Sequence, residues 1–478
     1  MKQLLAILPP HCVITDPRAK KPFETDGLTA VRQMPWVVVL PETVEQVRSV
    51  LRVCRESRVP LVPRGAGTGL SGGARPSSDG VLLGLSKLSR IIEIDPENRI
   101  ARVEPGVRNL AISEAAARYG LYYAPDPSSQ IACSIGGNVA ENSGGVHCLK
   151  YGLTVHNVLG LKLLTIEGDE LTIGGATLDS PGYDLLALFT GSEGMLGIVT
   201  EVTVRLLPVP ATKRLILAAF ASLEAAAGTV GRIIANGIIP AGLEMMDARA
   251  IAAAEAFVGA GYPTDAAAIL LCELDGTHDE VEEQAAQVVR LMRAQQATEV
   301  RASRDDADRE RMWLGRKAAF PAVGRLAPDY YCMDGTIPRA RLAEVLRAIE
   351  KLSERFGLAV ANVFHAGDGN LHPLILYDAN AEGELDRAEK MGGEILALCV
   401  DVGGTVTGEH GVGVEKLDAM CGQFAAPELE QFHRLKSAFD PAGLMNPGKA
   451  IPTLARCAEV GGMHVHKGNI AFPEIERF

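Results

Sequence analysis

Two short stretches of this 478-residue chain combine residue types that can hold a metal and move a proton. The first, NVFHAGDGNLHPLIL (362–376), places His365 and His372 seven residues apart. A helix would put both imidazoles on one face, but Gly367, Gly369 and Pro373 disfavour a helix. A hairpin turning on Asp368-Gly369, a favoured two-residue turn, pairs residue 367 with 370, 366 with 371 and 365 with 372. The two imidazoles are then cross-strand neighbours with Cβ atoms about 5 Å apart, close enough to share an ion. The second stretch, TGEHGVG (407–413), adds Glu409 and His410. Two His and one carboxylate leave coordination positions open, which suits a catalytic divalent ion, Zn²⁺ first and Mn²⁺ or Fe²⁺ as alternatives. The competing reading is two structural histidines and an exposed Glu-His pair. Arg316, in WLGRKAAFP, could grip a carboxylate with its planar fork. It ends a charge-rich helix, however, where most Arg are simply solvated.

A third stretch, PLVPRGAGTGLSGGARP (60–76), matches GxGxxG in Gly67, Gly69 and Gly72. A Rossmann loop needs a helix directly after the glycines, whose amides bind pyrophosphate. Here ARPSSDG follows, with Pro76 and Gly80, and then a strand. A Walker loop fails too, because no Lys-Ser or Lys-Thr ends the run. Five glycines from Gly65 to Gly73 still leave a backbone free to curl its N–H groups around an anion. A mobile surface loop is the alternative. Glycine clusters again in CSIGGNVAENSGG (133–145) and GSEGMLGIV (191–199).

These loops need elements to position them. PETVEQVRSVLRVCRES carries Val44, Val47, Val50, Leu51 and Cys54 on one helical stripe. VPLVP, GVLLGL, IIEID and RIARVEP read as strands, and VRNLAISEAAARYG as a helix closed by Gly120. LLPVPATK at 206–213 reads as a domain boundary. Beyond it Ala-rich helices mix with strands such as AAILLCELDG and AVANVFHA, and FDPAGLMNPGK (439–449) returns to turn chemistry before a short tail. The length suggests two or three lobes. A net charge of −12 without a basic stripe argues against nucleic acid as a partner. No apolar run approaches the roughly 18 residues of a membrane span, and MKQLLAILPP is too short for a secretory signal. Nine Cys without a CxxC read as reduced, mostly buried cytosolic thiols, with no iron–sulfur cluster in this chain.

Taken together, the three glycine segments resemble those of flavoproteins of the vanillyl-alcohol-oxidase type, where such a loop cradles FAD without a Rossmann helix. YYAPDPSSQIACSIGGNVAEN, HCLKYGLTVHN, DYYCMDGTIPR, FHAGDGNLHP and GEHGVG extend the likeness over nearly the whole chain. They are similar to the FAD-binding subunits of bacterial glycolate oxidases, in the FAD-linked oxidase family that includes D-lactate and D-2-hydroxyglutarate dehydrogenases. The resemblance implies an α+β, two-lobed flavoprotein of the PCMH type. Residues 1–210 would form the FAD-binding domain, 211–420 the substrate domain with the metal site, and 421–478 a segment packing back on the FAD domain. FAD is expected to be non-covalent, since Arg64–Gly73 contains no His or Cys. Its implied contacts are Arg64, Gly65, Ala66, Gly67, Thr68, Gly69, Leu70 and Ser71; Pro127, Ser128 and Ser129; Ile135, Gly136, Gly137, Asn138, Glu141, Asn142 and Gly145; Gly191, Glu193, Gly197, Ile198 and Val199; and Asn446.

The same resemblance implies His365, His372 and Glu409 as metal ligands, His410 as the base and Arg316 on the substrate carboxylate. The reaction would be oxidation of a small 2-hydroxy acid, glycolate to glyoxylate or D-lactate, by hydride transfer to flavin. A non-catalytic FAD subunit that only relays electrons would not need the His/His/Glu-His set. The hydroxyglutarate enzymes hold a second carboxylate with Lys and Thr, where this sequence has Cys332 and Phe320, and Leu374 replaces an Asn, so a small monocarboxylate is expected. Implied partners are an iron–sulfur subunit and a second FAD-type subunit at the inner face of the cytoplasmic membrane.

Overall fold

The helix Val44–Ser57 forms where its stripe predicts. Thr43 caps it, its Oγ1 accepting from Gln46 N at 3.2 Å, and Arg58 ends it at φ 52°. Val47, Val50, Leu51 and Cys54 are buried, packed on a four-stranded sheet in the order Val13–Ile14, Val37–Val39, Val81–Gly84, Leu61–Arg64. In this computed structural model, which describes residues 1–177 and 181–459, the last three strands run parallel. The connection from Leu61–Arg64 to Val81–Gly84 is the first glycine loop, with no helix in it. Only glycine fits at Gly67, where φ is +76° and a Cβ would lie 2.1 Å from Arg64 Nη2.

A five-stranded antiparallel sheet follows, ordered Ile91–Asp95, Ile100–Val103, Ile198–Arg205, Val158–Leu164, Glu170–Gly174. The second glycine cluster is itself a short helix, Ile135–Glu141, capped by Ser134 Oγ on Gly137 N at 3.3 Å. The third leads straight into strand Ile198–Arg205.

From Thr212 the architecture changes to one eight-stranded antiparallel sheet with helices on both faces. Strand Thr212–Phe220 shows why its sequence is a continuous apolar run: Ile216, Ala218 and Phe220 enter one core, and Leu215, Leu217 and Ala219 the other. Helices Leu223–Ala235, His278–Ala294, Leu342–Phe356 and Glu384–Asp401 cover one face; Ala248–Val258, Asp306–Lys317 and Ala319–Val323 cover the other.

The histidine hairpin exists, but its register differs from the sequence expectation. His365 pairs with Asn370, and His372 pairs with Val363. The turn is the four residues 366–369, closed by Gly369 N on His365 O at 3.1 Å. Asp368 Oδ1 takes Asn370 N at 3.0 Å, and Gly369 adopts φ +87° against Ile337 O. The tighter two-residue turn loses to this longer one because Asp368 caps the next strand with its own side chain. A shift of two residues preserves the face each side chain occupies, so both imidazoles still share one side, diagonally.

The cysteine expectation also needs correction. Cys421 and Cys457, 36 residues apart, form a disulfide between helices Leu417–Gln423 and Leu454–Glu459. Cα atoms 5.2 Å apart make the bond reachable, a proximity that sequence spacing does not reveal. The other seven are free thiols, all buried except the half-buried Cys148. Residues 460–478 of the tail lie outside the described part. Before it, the chain returns to the first lobe: Phe439 meets Phe189 edge-on at 5.1 Å, and Lys436 Nζ donates to Met195 O and Met445 O, both at 2.7 Å. No helix among the described residues is long and apolar enough to cross a membrane.

His147 joins the two lobes. Its Nδ1 meets Asp126 Oδ2 at 2.8 Å and its Nε2 meets Glu273 Oε1 at 3.1 Å, while Trp313 Nε1 donates to Glu273 Oε2 at 2.5 Å. Burial alone would lower the imidazole's pKa, but Asp126 and Glu273 outweigh burial and push it up to about 10. This group therefore stabilises the fold fully below its ordinary value of 6.5, and that contribution is lost as pH rises through about 10. His147→Gln should lower the unfolding free energy by about 3–5 kcal/mol, the cost of removing one partner from a buried charge set. Denaturant titrations between pH 6.5 and 10 should show the wild type losing stability and the variant a flatter profile; parallel slopes would refute the bridge.

Candidate active site

A cavity of about 420 Å³ runs between the lobes. All three glycine segments line it: Arg64, Gly65, Ala66, Gly67, Thr68, Gly69 and Leu70 from the first, Gly136, Gly137, Asn138 and Glu141 from the second, and Glu193, Gly197, Ile198 and Val199 from the third. Pro127, Ser128 and Ser129 add a further wall. At Gly69 a Cβ would meet nothing within 4 Å, so the loop backbone faces open space. Such a trough of glycine backbone fits an extended phosphate-bearing cofactor. Six expected contacts stand behind the lining. Ser71 O accepts from Val414 N at 3.0 Å, Ile135 is core, and Asn142 Oδ1 takes Val155 N at 2.9 Å. Gly145 packs on Asp126, Gly191 N donates to Val139 O at 2.8 Å, and Asn446 Nδ2 braces Gly73 O and Glu193 O at 3.1 and 2.7 Å.

His372, Glu409 and His410 line the same cavity, beside Lys317, Phe320 and Pro321. Glu409 Oε1 lies 3.3 Å from both His365 Nε2 and His372 Nε2. Tetrahedral bonds of about 2.0–2.1 Å would separate ligand atoms by about 3.3 Å, so these donors already hold the spacing an ion requires. Among the described residues neither buried ring nitrogen of His372 has a hydrogen-bond partner, an arrangement that is costly unless something else occupies them. The residues therefore fit a divalent ion. His365 is oriented from behind, its Nδ1 2.8 Å from Glu244 Oε1, the carboxylate–imidazole pairing that fixes the tautomer of metal-bound His. Burial would lower the His365 pKa, yet Glu244 and Glu409 hold it well above the ordinary range, so this pocket attracts positive charge.

His410 has the opposite electrostatics. Burial lowers it to about 4, only partly opposed by Asp334, so its imidazole is neutral at working pH and can take a proton. Its ring stacks on His372 with centroids 5.0 Å apart, and its Nδ1 has no hydrogen-bond partner among the described residues.

Arg316 departs from its sequence reading. It is 2% exposed, not solvated, and its Nε donates to Glu244 Oε2 at 2.8 Å. Its Nη2 lies 2.7 Å from the same oxygen without hydrogen-bond alignment and has no other partner among the described residues. One edge of the fork is thus spent on Glu244, and Arg316 supports His365 through it.

Sequence reasoning missed Glu244 and Asp334. Glu244 is the one carboxylate inside the apolar run GLEMM, a signal in itself. Asp334 is wholly buried and collects the catalytic loop: Gly408 N, Glu409 N, His410 N and Thr407 Oγ1 all donate to it, at 3.1, 3.1, 2.9 and 2.6 Å. Asn370 Nδ2 and Lys416 Nζ add bonds of 3.0 and 2.9 Å. With His372 and His410 it forms a second possible ligand trio, but its oxygens are already committed to these donors.

Comparison with known proteins identifies the family of both lobes. Residues 35–174 match the family described as "FAD binding domain", and residues 209–450 match "FAD linked oxidases, C-terminal domain". The chain is 63% identical over 457 residues to the glycolate oxidase subunit GlcD of Escherichia coli (strain K12), covering 96% of this chain and 92% of that protein. It is 33% identical to a D-lactate dehydrogenase of Archaeoglobus fulgidus, covering 90% of this chain and 95% of the relative. The crystal structure of p-cresol methylhydroxylase with substrate bound shares the fold, with a TM-score of 0.80 at 19% identity over 95% of this chain and 96% of the other. The architecture is that of the vanillyl-alcohol-oxidase type, and the chain belongs to the FAD-linked oxidases.

Proposed function

We propose that this chain oxidises glycolate to glyoxylate, with non-covalent FAD in the glycine-lined cavity and a divalent ion, Zn²⁺ first among candidates, held by His365, His372 and Glu409. The observation that carries the reading is that His372, Glu409 and His410 line the same cavity as the three glycine segments. Bound there, FAD would accept hydride from the substrate C2, and the ion would acidify the substrate hydroxyl. The protein's own residues do the rest. Neutral His410 takes the hydroxyl proton at a ring nitrogen. Arg316 holds the substrate carboxylate with the part of its guanidinium that Glu244 leaves free, while its Nε keeps Glu244 against His365. Phe320, whose ring lies 6.0 Å from that of His372, closes the space and favours a short substrate. D-lactate differs by one methyl, a discrimination worth only about 1–3 kcal/mol.

The seven free thiols include no CxxC pair, so the electrons leave through partners: an iron–sulfur subunit and a second FAD-type subunit, at the inner face of the cytoplasmic membrane. Residues 1–210, 211–420 and 421–478 would form the FAD domain, the substrate domain and the returning segment. In support, the GlcD relative is itself described as a subunit.

Anaerobic mixing of the purified protein with glycolate should bleach flavin absorbance near about 450 nm, the band expected of bound FAD. Acid precipitation of the same sample should leave the yellow colour in the supernatant. Absence of bleaching with glycolate, alongside bleaching by D-lactate, would transfer the substrate assignment; colour retained in the pellet would defeat non-covalent binding.

His372→Ala should lose the metal, measured by elemental analysis, and lower turnover about 100-fold or more, the several kcal/mol that metal assistance supplies. FAD content should remain as in the wild type, because the glycine segments belong to the other lobe. Retained metal and turnover would sink the site.

A further inference from the structure

We propose that Glu141 is an uncharged hydrogen-bond donor to the flavin ring, at the end of the cavity where hydride arrives. This inference rests on the preceding reading of the cavity and specifies one residue's part in it. Glu141 ends helix Ile135–Glu141 and lines the cavity. Its Oε2 is buried without a hydrogen-bond partner among the described residues. A Cβ added at Gly411 would lie 1.9 Å from that oxygen, so the carboxyl rests against the residue following His410. On its other side a Cβ at Gly73 would lie 2.8 Å from Oε1. A substrate held beside His410 would pass its hydride to a flavin in the same cavity, whose wall Glu141 shares.

Lys416 and Lys449 favour a charge on Glu141 from nearby, but neither donates a hydrogen bond to it, and burial with two neighbouring carboxyls outweighs them. Glu193 takes both available amides, Val412 N at 2.7 Å and Gly413 N at 2.8 Å. Lys416 is spent on Asp334, Thr407 and Gly411 O, and Lys449 on Gly73 O, Arg75 O and Asn446 Oδ1. Asp26 adds another carboxyl nearby. Burial first, then Glu193 and Asp26, hold the Glu141 carboxyl well above its usual range. A buried carboxyl that keeps its proton has one hydrogen to give and, among the described residues, no recipient in the protein. Negative charge grows on a flavin as hydride arrives, and a preorganised donor stabilises that charge more than the resting state.

The test is the reduction potential of bound FAD, poised against a reference dye, in the wild type, Glu141→Gln and Glu141→Leu. Glu141→Gln keeps a neutral donor, so its ratio of reduced to oxidised flavin at a fixed poise should stay within about twofold of the wild type. Glu141→Leu should shift that ratio about tenfold toward oxidised, equivalent to about 30 mV for a two-electron couple. Two results would overturn the proposal: a Leu variant matching the wild type, or a Gln variant shifted about tenfold toward reduced, as removal of an anion would produce. Should the Leu variant not retain FAD, the Gln variant decides alone. Because a dye sets the poise, failure of glycolate to reduce the wild type would sink the substrate reading and leave the Glu141 result standing.

Discussion

Asp334 is the residue on which the active site depends. A carboxylate with no solvent exposure must have its charge answered from within the protein, and here the answer is the catalytic loop itself. Three consecutive backbone N–H groups, from Gly408 to His410, turn inward to reach it, and Lys416 neutralises what remains. That demand fixes the path of the loop. It points Glu409 at His365 and His372, and stacks His410 on His372. Charge-assisted bonds to a buried anion are roughly twice as strong as neutral ones, so the loop is held by electrostatics where its glycines supply little packing.

The same logic recurs around the cavity. Glu193 receives the amides of Val412 and Gly413, which ties the third glycine segment to the catalytic loop. Asn446 and Lys449 reach back from the C-terminal segment to Gly73 O, closing the first glycine segment from behind. His147 spans the lobes between two carboxylates. Hydrophobic burial builds each lobe mainly around its own cores, with Leu28 and Val146 of the first lobe packing into those of the second. Buried polar bonds then fix how the lobes meet, because such bonds tolerate little misalignment.

The chemistry follows from groups held in different charge states within a small space. His365 and His372 sit among carboxylates and attract positive charge, while His410, stacked beside them, is kept neutral by burial. Glu244 is anionic between Arg316 and His365, whereas Glu141 forms no ion pair among the described residues. Divergent environments of like residues are what the proposed chemistry requires, in which one site holds an ion, accepts a proton and donates a hydrogen bond.

Much of this was legible in the amino-acid order. Local signals are strong wherever one residue type has few conformational choices: the Thr43-capped helix stripe, the alternating strands, and the glycine clusters whose following Pro76 and Gly80 exclude a Rossmann helix. The His/His and Glu-His motifs were visible for the same reason, since they lie within a few residues of each other. The hairpin register was not, because two turns of different length satisfy the same hydrophobic alternation and the side chain of Asp368 decides between them. Nor was the burial of Arg316, which depends on Glu244, 72 residues away, nor the Cys421–Cys457 pairing across 36 residues. Asp334 carried no signal of its own, since its role consists of bonds to a loop more than seventy residues downstream. The sequence by itself determined which groups could do chemistry and which segments would turn; only the tertiary structure decided which charges answer which, because burial and partner choice are properties of the packed chain.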